Sequence, residues 1–314
     1  MTKTTFVAAG LVRPLIEAHL PDWVEPHWFM SKDEAIALAP MADIGWFDMM
    51  DKAEMFTVIA AATNLKWLNS IYAGVDGMPL AQLKAQGTMV TNGAGINAIT
   101  IAEYVIMGML SVAKGYREVV RAADRNEWLM DSPGKVELYG SKALLLGYGA
   151  IGTLIEERLT AFHVDVAIVR RTPGPNTLSP DEWRERLGEF DWVILAVPAT
   201  SETDGMIGAA ELAAMKPSAT LINIARGSVI DQDALITALD NKQIAAAFLD
   251  VTTPEPLPED HPLWTTENAH ITMHLSGRAQ SKMFIRSAER FLGNLTRYHK
   301  GEPLSPLVNL DLGY

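Results

Sequence analysis

A chain of 314 residues, 48% hydrophobic and 20% charged, is long enough to bury two sizeable cores. Its formal net charge of −12 at pH 7 argues against nucleic acid or an anionic membrane surface as partner, so any site for an anion must be built locally from a few cations. The absence of cysteine excludes disulfides, thiolate catalysis and cysteine-held metals, in keeping with a reducing cytoplasm.

Along the chain, Phe6–Leu11 reads as a first strand; Arg13 and Pro14 interrupt it before a signal-peptide core can form. Arg13–Leu20 reads as a helix, Ile44–Phe47 and Leu65–Ile71 as strands, Leu80–Gln86 as a short helix and Met89–Thr91 as a strand. That alternation predicts βαβ units on a parallel sheet. From Ile96 to about Asp124 the pattern turns helical and apolar on one side, leading into a second domain. Its most apolar part, Tyr104–Ala113, lies between Glu103 and Lys114 and is too short to span a bilayer, so no membrane association and a cytoplasmic location are expected. Asn126–Lys135, with Trp128, Pro133 and Gly134, reads as an irregular arm.

Lys142–Ile151 opens a second run of strands, at Val164–Val169, Trp192–Val197, Thr220–Ile224 and Ala245–Leu249. Helices fall between them at Thr153–Phe162, Ala209–Met215 and Gln232–Leu239, which is the rhythm of a doubly wound sheet. A last amphipathic helix follows near Gly277–Lys300, then a short, partly apolar tail, Pro303–Tyr314.

The apolar run Leu144–Leu146 feeds Gly147-Tyr148-Gly149-Ala150-Ile151-Gly152, a G-x-G-x-x-G turn that follows a strand and opens a helix. The first glycine permits the tight turn, the second lets a pyrophosphate approach the backbone, and the third lets helix and strand pack closely. A carboxylate at the end of the next strand would accept from the free 2′-hydroxyl of NAD. This chain has Arg170, Arg171 and Thr172 there instead, a guanidinium fork suited to a 2′-phosphate, so NADP(H) is expected in preference to NAD(H).

Three ionisable residues lie just beyond later strands, where ligands of open α/β sheets bind. Arg226 follows Leu221–Ala225, Glu255 sits in Thr253-Pro254-Glu255-Pro256-Leu257 after Phe248–Val251, and His274 follows Ile271–Met273. Singly, each is as well read as a structural residue. The other histidines, His19, His27, His163, His261, His270 and His299, have no metal-ligand spacing, and no metal is expected.

As an ordered set these motifs resemble the D-isomer-specific 2-hydroxyacid dehydrogenases from about Tyr72 to the C-terminus. The resemblance rests on Tyr72-Ala73-Gly74-Val75-Asp76, the glycine turn, Val197-Pro198-Ala199-Thr200 with Glu202-Thr203, Asn223-Ile224-Ala225-Arg226-Gly227, Leu249-Asp250-Val251 with Glu255-Pro256-Leu257, and His274. The arginine pair, the length and the closing Gly313-Tyr314 look most like the glyoxylate/hydroxypyruvate reductase branch. It implies an α/β fold of two doubly wound parallel-sheet domains. A Rossmann-type domain, residues 97–281, would be inserted into a smaller flavodoxin-like substrate domain, 1–96 plus 282–314.

The implied reaction is reduction of a 2-keto acid, glyoxylate, hydroxypyruvate or a relative, to the D-2-hydroxy acid. Arg226, charged at any working pH, would hold the substrate carboxylate and polarise the carbonyl. The Ala73 and Gly74 N–H groups would complete the carboxylate cradle, His274 would exchange the proton, and Glu255 would favour its imidazolium form. Asp250 would anchor the nicotinamide carboxamide, with Val197, Pro198, Thr203, Ala225 and Ser276 also around the cofactor. Trp46 and Tyr72, with Phe47, Met49 and Met50, read either as a substrate wall or as ordinary core. The helix around Ile101–Met109 and the Trp128 arm correspond to the family's dimer-forming region, so a homodimer is expected; packing within one chain is the alternative. A nucleotide-sensing corepressor on the same fold is the competing functional class, and a dehydrogenase for a bulkier 2-keto acid is the alternative within the family. Two departures stand out: Met273 where the family commonly has Pro, and His163 at a turn where Gly is usual.

Overall fold

The computed structural model describes residues 3–172, 174, 177–278 and 280–312, apart from the side chains of Gln280 and Ser281. The closing Gly313-Tyr314 pair lies outside the described residues. The chain forms two compact units, Met1–Asn97 with Ala279–Tyr314, and Ala98–Arg278.

The first unit holds β1 (Thr4–Ala9), β2 (Val24–Phe29), β3 (Ile44–Trp46), β4 (Trp67–Asn69) and β5 (Met89–Thr91). They form a five-stranded sheet in the order β2-β1-β3-β4-β5, every neighbouring pair parallel. β2, Val-Glu-Pro-His-Trp-Phe, was not legible as a strand because Pro26 cannot donate to a ladder; its place at the sheet edge is where proline is tolerated. The helix Lys52–Ala61 was also missed, although Asp51 caps it by accepting from the Ala53 and Glu54 N–H groups and Glu54 completes the cap signature. On one face the helix Gln280–Lys300 presses Phe291 onto Phe6, Trp46 and Trp67, with ring centroids 4.9–5.1 Å apart.

The second unit holds β6 (Lys142–Leu146), β7 (Asp165–Val169), β8 (Thr177–Leu178), β9 (Trp192–Leu195), β10 (Thr220–Asn223), β11 (Ala246–Leu249) and β12 (Ala269–Ile271). Their order, β12-β11-β10-β9-β6-β7-β8, starts at β6, winds outward through β8, then restarts at β9 on the other side of β6. This reversal is the switch point at which open α/β sheets bind ligands. The central strands β6, β9, β10 and β11 are buried on both faces, so they read as apolar runs rather than alternations.

The apolar stretch after Ile96 is two helices, Ala98–Ala113 and Tyr116–Asp124, bent by 71° at a break. Gly115 lies in the break at φ +60, and a Cβ there would fall 2.8 Å from the Gly134 nitrogen, so the arm packs directly on the bend. Among the described residues no single helix is long and apolar enough to cross a membrane, and no group of three His, Asp or Glu converges as a metal site.

Candidate active site

The glycine turn leaves β6 at Gly147, whose φ of +101 and whose missing Cβ, which would sit 2.4 Å from the Ala196 carbonyl oxygen, admit no side chain. Gly152 lies in the helix Ala150–Ala161, where a Cβ would meet the Gly147 oxygen at 2.4 Å. Gly149 differs from both: a Cβ there would meet nothing within 4 Å. It stands at the N-cap of that helix with no side chain capping the first-turn N–H groups. Open space before uncapped donors at the positive end of a helix fits the pyrophosphate of a dinucleotide.

Beyond β7, the Arg170 guanidinium lies 6.0 Å from the centre of the Tyr148 ring, and the Tyr148 hydroxyl donates to Glu156. Arg171 pairs with Glu202 at 2.8 Å, an exposed ion pair that the sequence did not reveal. Any 2′-phosphate must share this guanidinium with a carboxylate.

The ends of β10, β11 and β12 bring Arg226, Glu255 and His274 into one neighbourhood. After β10, Asn223 accepts from the Ala225 N–H and donates to the Arg226 carbonyl, which fixes the turn. Gly227 then packs against the loop after β11 so tightly that a Cβ would lie 2.1 Å from the Thr252 carbonyl carbon. On that loop the Thr252 N–H donates to one Glu255 oxygen at 3.1 Å, while the other lies 2.7 Å from His274 Nδ1. Gln232 braces the same loop through both the N–H and the carbonyl of Thr253. Burial works against the Glu255 carboxylate, but the His274 hydrogen bond and charge, the Thr252 N–H and the Arg226 charge outweigh it and hold its carboxyl below the usual range. Thr252 and Gln232 were missed in the sequence, and Asn223 entered only as part of a motif without a role, since amides and hydroxyls that only brace a loop leave no spacing signal.

A family profile described as D-isomer specific 2-hydroxyacid dehydrogenase, NAD binding domain, matches residues 106–276. The chain belongs to the D-isomer-specific 2-hydroxyacid dehydrogenase family. Human glyoxylate reductase/hydroxypyruvate reductase is 31% identical over 274 residues, which cover 83% of this chain and 82% of the relative. Glyoxylate reductase of Thermofilum pendens is 33% identical over 267 residues, 81% of this chain and 78% of the relative. The crystal structure of a D-isomer specific 2-hydroxyacid dehydrogenase family protein from Aeromonas salmonicida has a TM-score of 0.86 at 28% identity, covering 99% of this chain and 100% of that one.

The remaining expected residues already have partners within the chain. Asp250, expected to anchor a carboxamide, is 2% exposed, and both its oxygens are engaged by Thr272 Oγ1, the Leu275 and Ser276 N–H groups and the Ser276 hydroxyl. In this arrangement Asp250 holds the turn that carries His274, with Ser276 as one of its donors. Thr203 likewise serves its own loop, accepting from the Thr200 N–H and donating to the Pro198 carbonyl. Trp46 is buried, 1% exposed against Phe291. Tyr72 is half-buried, its hydroxyl donating to the Met49 carbonyl. In the arm, Trp128 and Met130 are 88% and 92% exposed, which removes packing within one chain as their explanation.

Both departures from the family pattern lie in left-handed backbone. Met273 and His274 have φ +55, a left-handed pair that proline, fixed near −65°, cannot enter. His163 has φ +58 just after the helix Ala150–Ala161, the position where glycine is favoured.

Proposed function

We propose that the protein reduces a small 2-keto acid, glyoxylate or hydroxypyruvate foremost, to the D-2-hydroxy acid with NADPH. The observation that carries this reading is the His274–Glu255 pair at 2.7 Å, with the Arg226 charge beside it. The names of the human and archaeal relatives support the substrate class. A bound nicotinamide supplies the hydride to the carbonyl carbon. Arg226 draws electron density toward the carbonyl oxygen with a charge that does not titrate. His274 then delivers its proton to that oxygen, and Glu255 stabilises the imidazolium that must be present beforehand. In the first unit, the Ala73 and Gly74 N–H groups are the proposed donors to the substrate carboxylate.

Support for NADP(H) over NAD(H) comes from Arg170 and Arg171 at the end of β7, where no carboxylate follows in sequence. Two charge-assisted hydrogen bonds of about 1.5–3 kcal/mol each correspond to about 10²–10⁴ in preference. Glu202, already holding Arg171, points to the lower part of that range. For the exposed Trp128–Met130 arm we propose pairing with a second copy of the chain.

The test is oxidation of NADPH and NADH against glyoxylate, hydroxypyruvate, pyruvate, phenylpyruvate and 2-ketoisocaproate. Turnover with none of them would sink the reading and favour a nucleotide sensor. Arg170→Asp with Arg171→Ala should shift preference toward NADH; an unchanged ratio would make these arginines plain surface charge.

A further inference from the structure

Asp48 lies just past β3 in the first unit, half-buried, and belongs to none of the motifs above. One carboxylate oxygen accepts from the Ser70 hydroxyl at 2.6 Å; the other accepts from Trp46 Nε1 at 2.6 Å and from the Ile71 N–H at 2.5 Å. Ser70 Oγ in turn accepts from the Tyr72 N–H at 3.1 Å, and the Tyr72 hydroxyl donates to the Met49 carbonyl beside Asp48. From the loop after β3, therefore, a single carboxylate governs the start of the loop after β4.

The same segment is held from its other side. The Gly93 N–H donates to the Tyr72 carbonyl at 2.8 Å, and Asn92 Nδ2 donates to the Ala73 carbonyl at 2.6 Å. Gly93 has no room for a side chain, since a Cβ would fall 1.8 Å from the Ile71 carbonyl oxygen. Every contact in this frame fixes the peptide units leading into Ala73 and Gly74, at the carboxyl ends of parallel strands where such sheets take ligands.

We propose that Asp48 is the positioning residue that sets the Ile71–Gly74 backbone for the substrate carboxylate, a proposal that rests on the Ala73–Gly74 reading above. Burial pushes its carboxyl up to about 6 against the pull of its three donors, so at pH 7 it accepts chiefly as a carboxylate. Asp48 touches no reacting atom. It acts by aiming backbone donors, which changes substrate binding in ground and transition states alike and so moves KM rather than kcat.

The test compares wild type, Asp48→Ala and Asp48→Asn, with folding checked by circular dichroism and thermal midpoint. Steady-state kinetics with glyoxylate are read beside oxalate inhibition and NADPH titration. Asp48→Ala should raise KM for glyoxylate and weaken oxalate by at least about tenfold, while kcat and NADPH affinity stay within about threefold. Asparagine keeps an acceptor for the Ile71 N–H and can donate to Ser70 Oγ, so Asp48→Asn should recover most of the loss. An unchanged KM in Asp48→Ala, a joint fall of KM performance, kcat and NADPH affinity, or an asparagine variant no better than alanine would overturn the proposal. If wild type neither turns over a 2-keto acid nor binds oxalate, the reading of the site itself fails, an outcome distinct from a working enzyme indifferent to Asp48.

Discussion

Glu255→Gln isolates charge from geometry in the His274 pair. Glutamine can still accept from His274 Nδ1–H, so ring orientation is kept while the negative charge is lost. A hydrogen bond to a charged group contributes about 1.5–3 kcal/mol and a neutral one about 0.5–1.5, a difference of about 1–1.5 kcal/mol. The two side chains are 45% and 37% exposed, so solvent screening reduces this to about 1 kcal/mol or less. That corresponds to a fall of up to about fivefold in the rate of reduction. The lowered Glu255 carboxyl, itself owed in part to His274, shows the same coupling from the other partner. Saturating steady-state NADPH oxidation at pH 7 reads it, with NADPH affinity as the control. A variant as fast as wild type would refute the proposed assignment of Glu255 as the partner of the proton donor.

Other outcomes follow from burial and backbone. Burial, with the charges of Arg117 and Arg121, pushes His270 down to about 4, below its unfolded value near 6.5. The unfolded chain therefore binds the extra proton, and this contribution to stability is complete above about pH 6.5 and lost as pH falls toward 4. Relative to His270→Gln, wild type should lose about 2 kcal/mol between pH 7 and pH 5 by urea unfolding; parallel losses would discount the histidine. His163→Gly should stabilise the chain by up to about 1 kcal/mol through relief of the positive φ, offset by loss of the Tyr139 ring contact, and a lowered thermal midpoint would mean the contact outweighs the strain. Trp128→Glu should shift a dimer toward monomer in sedimentation velocity; a dimer of unchanged stability would place the interface elsewhere.

Much of this protein was legible because its signals are local. The glycine turn depends on φ and close approach at single residues, and parallel strands buried on both faces read as apolar runs. Hence β5 and the starts of β9 and β10 fall where they were expected, and the turn at Gly147 has its expected form. Local signals failed where long-range context decides: β2 survives its proline only as an edge strand, and the helical stretch breaks at Gly115 because an arm packs there.

The division is sharper at the site. Residue order and chemistry by themselves determined the family and the glycine turn and singled out Arg226, Glu255 and His274 for the proposed site. Only the tertiary structure decided which partners Asp250, Ser276, Thr203 and Trp46 have within the chain, because a motif says nothing of the hydrogen bonds or core contacts its residues make. It also joined Arg171 to Glu202 across 31 positions and Asp48 to Ile71 across 23. A hydrogen bond depends on distance and angle in space, and neither quantity is written in a spacing along the chain.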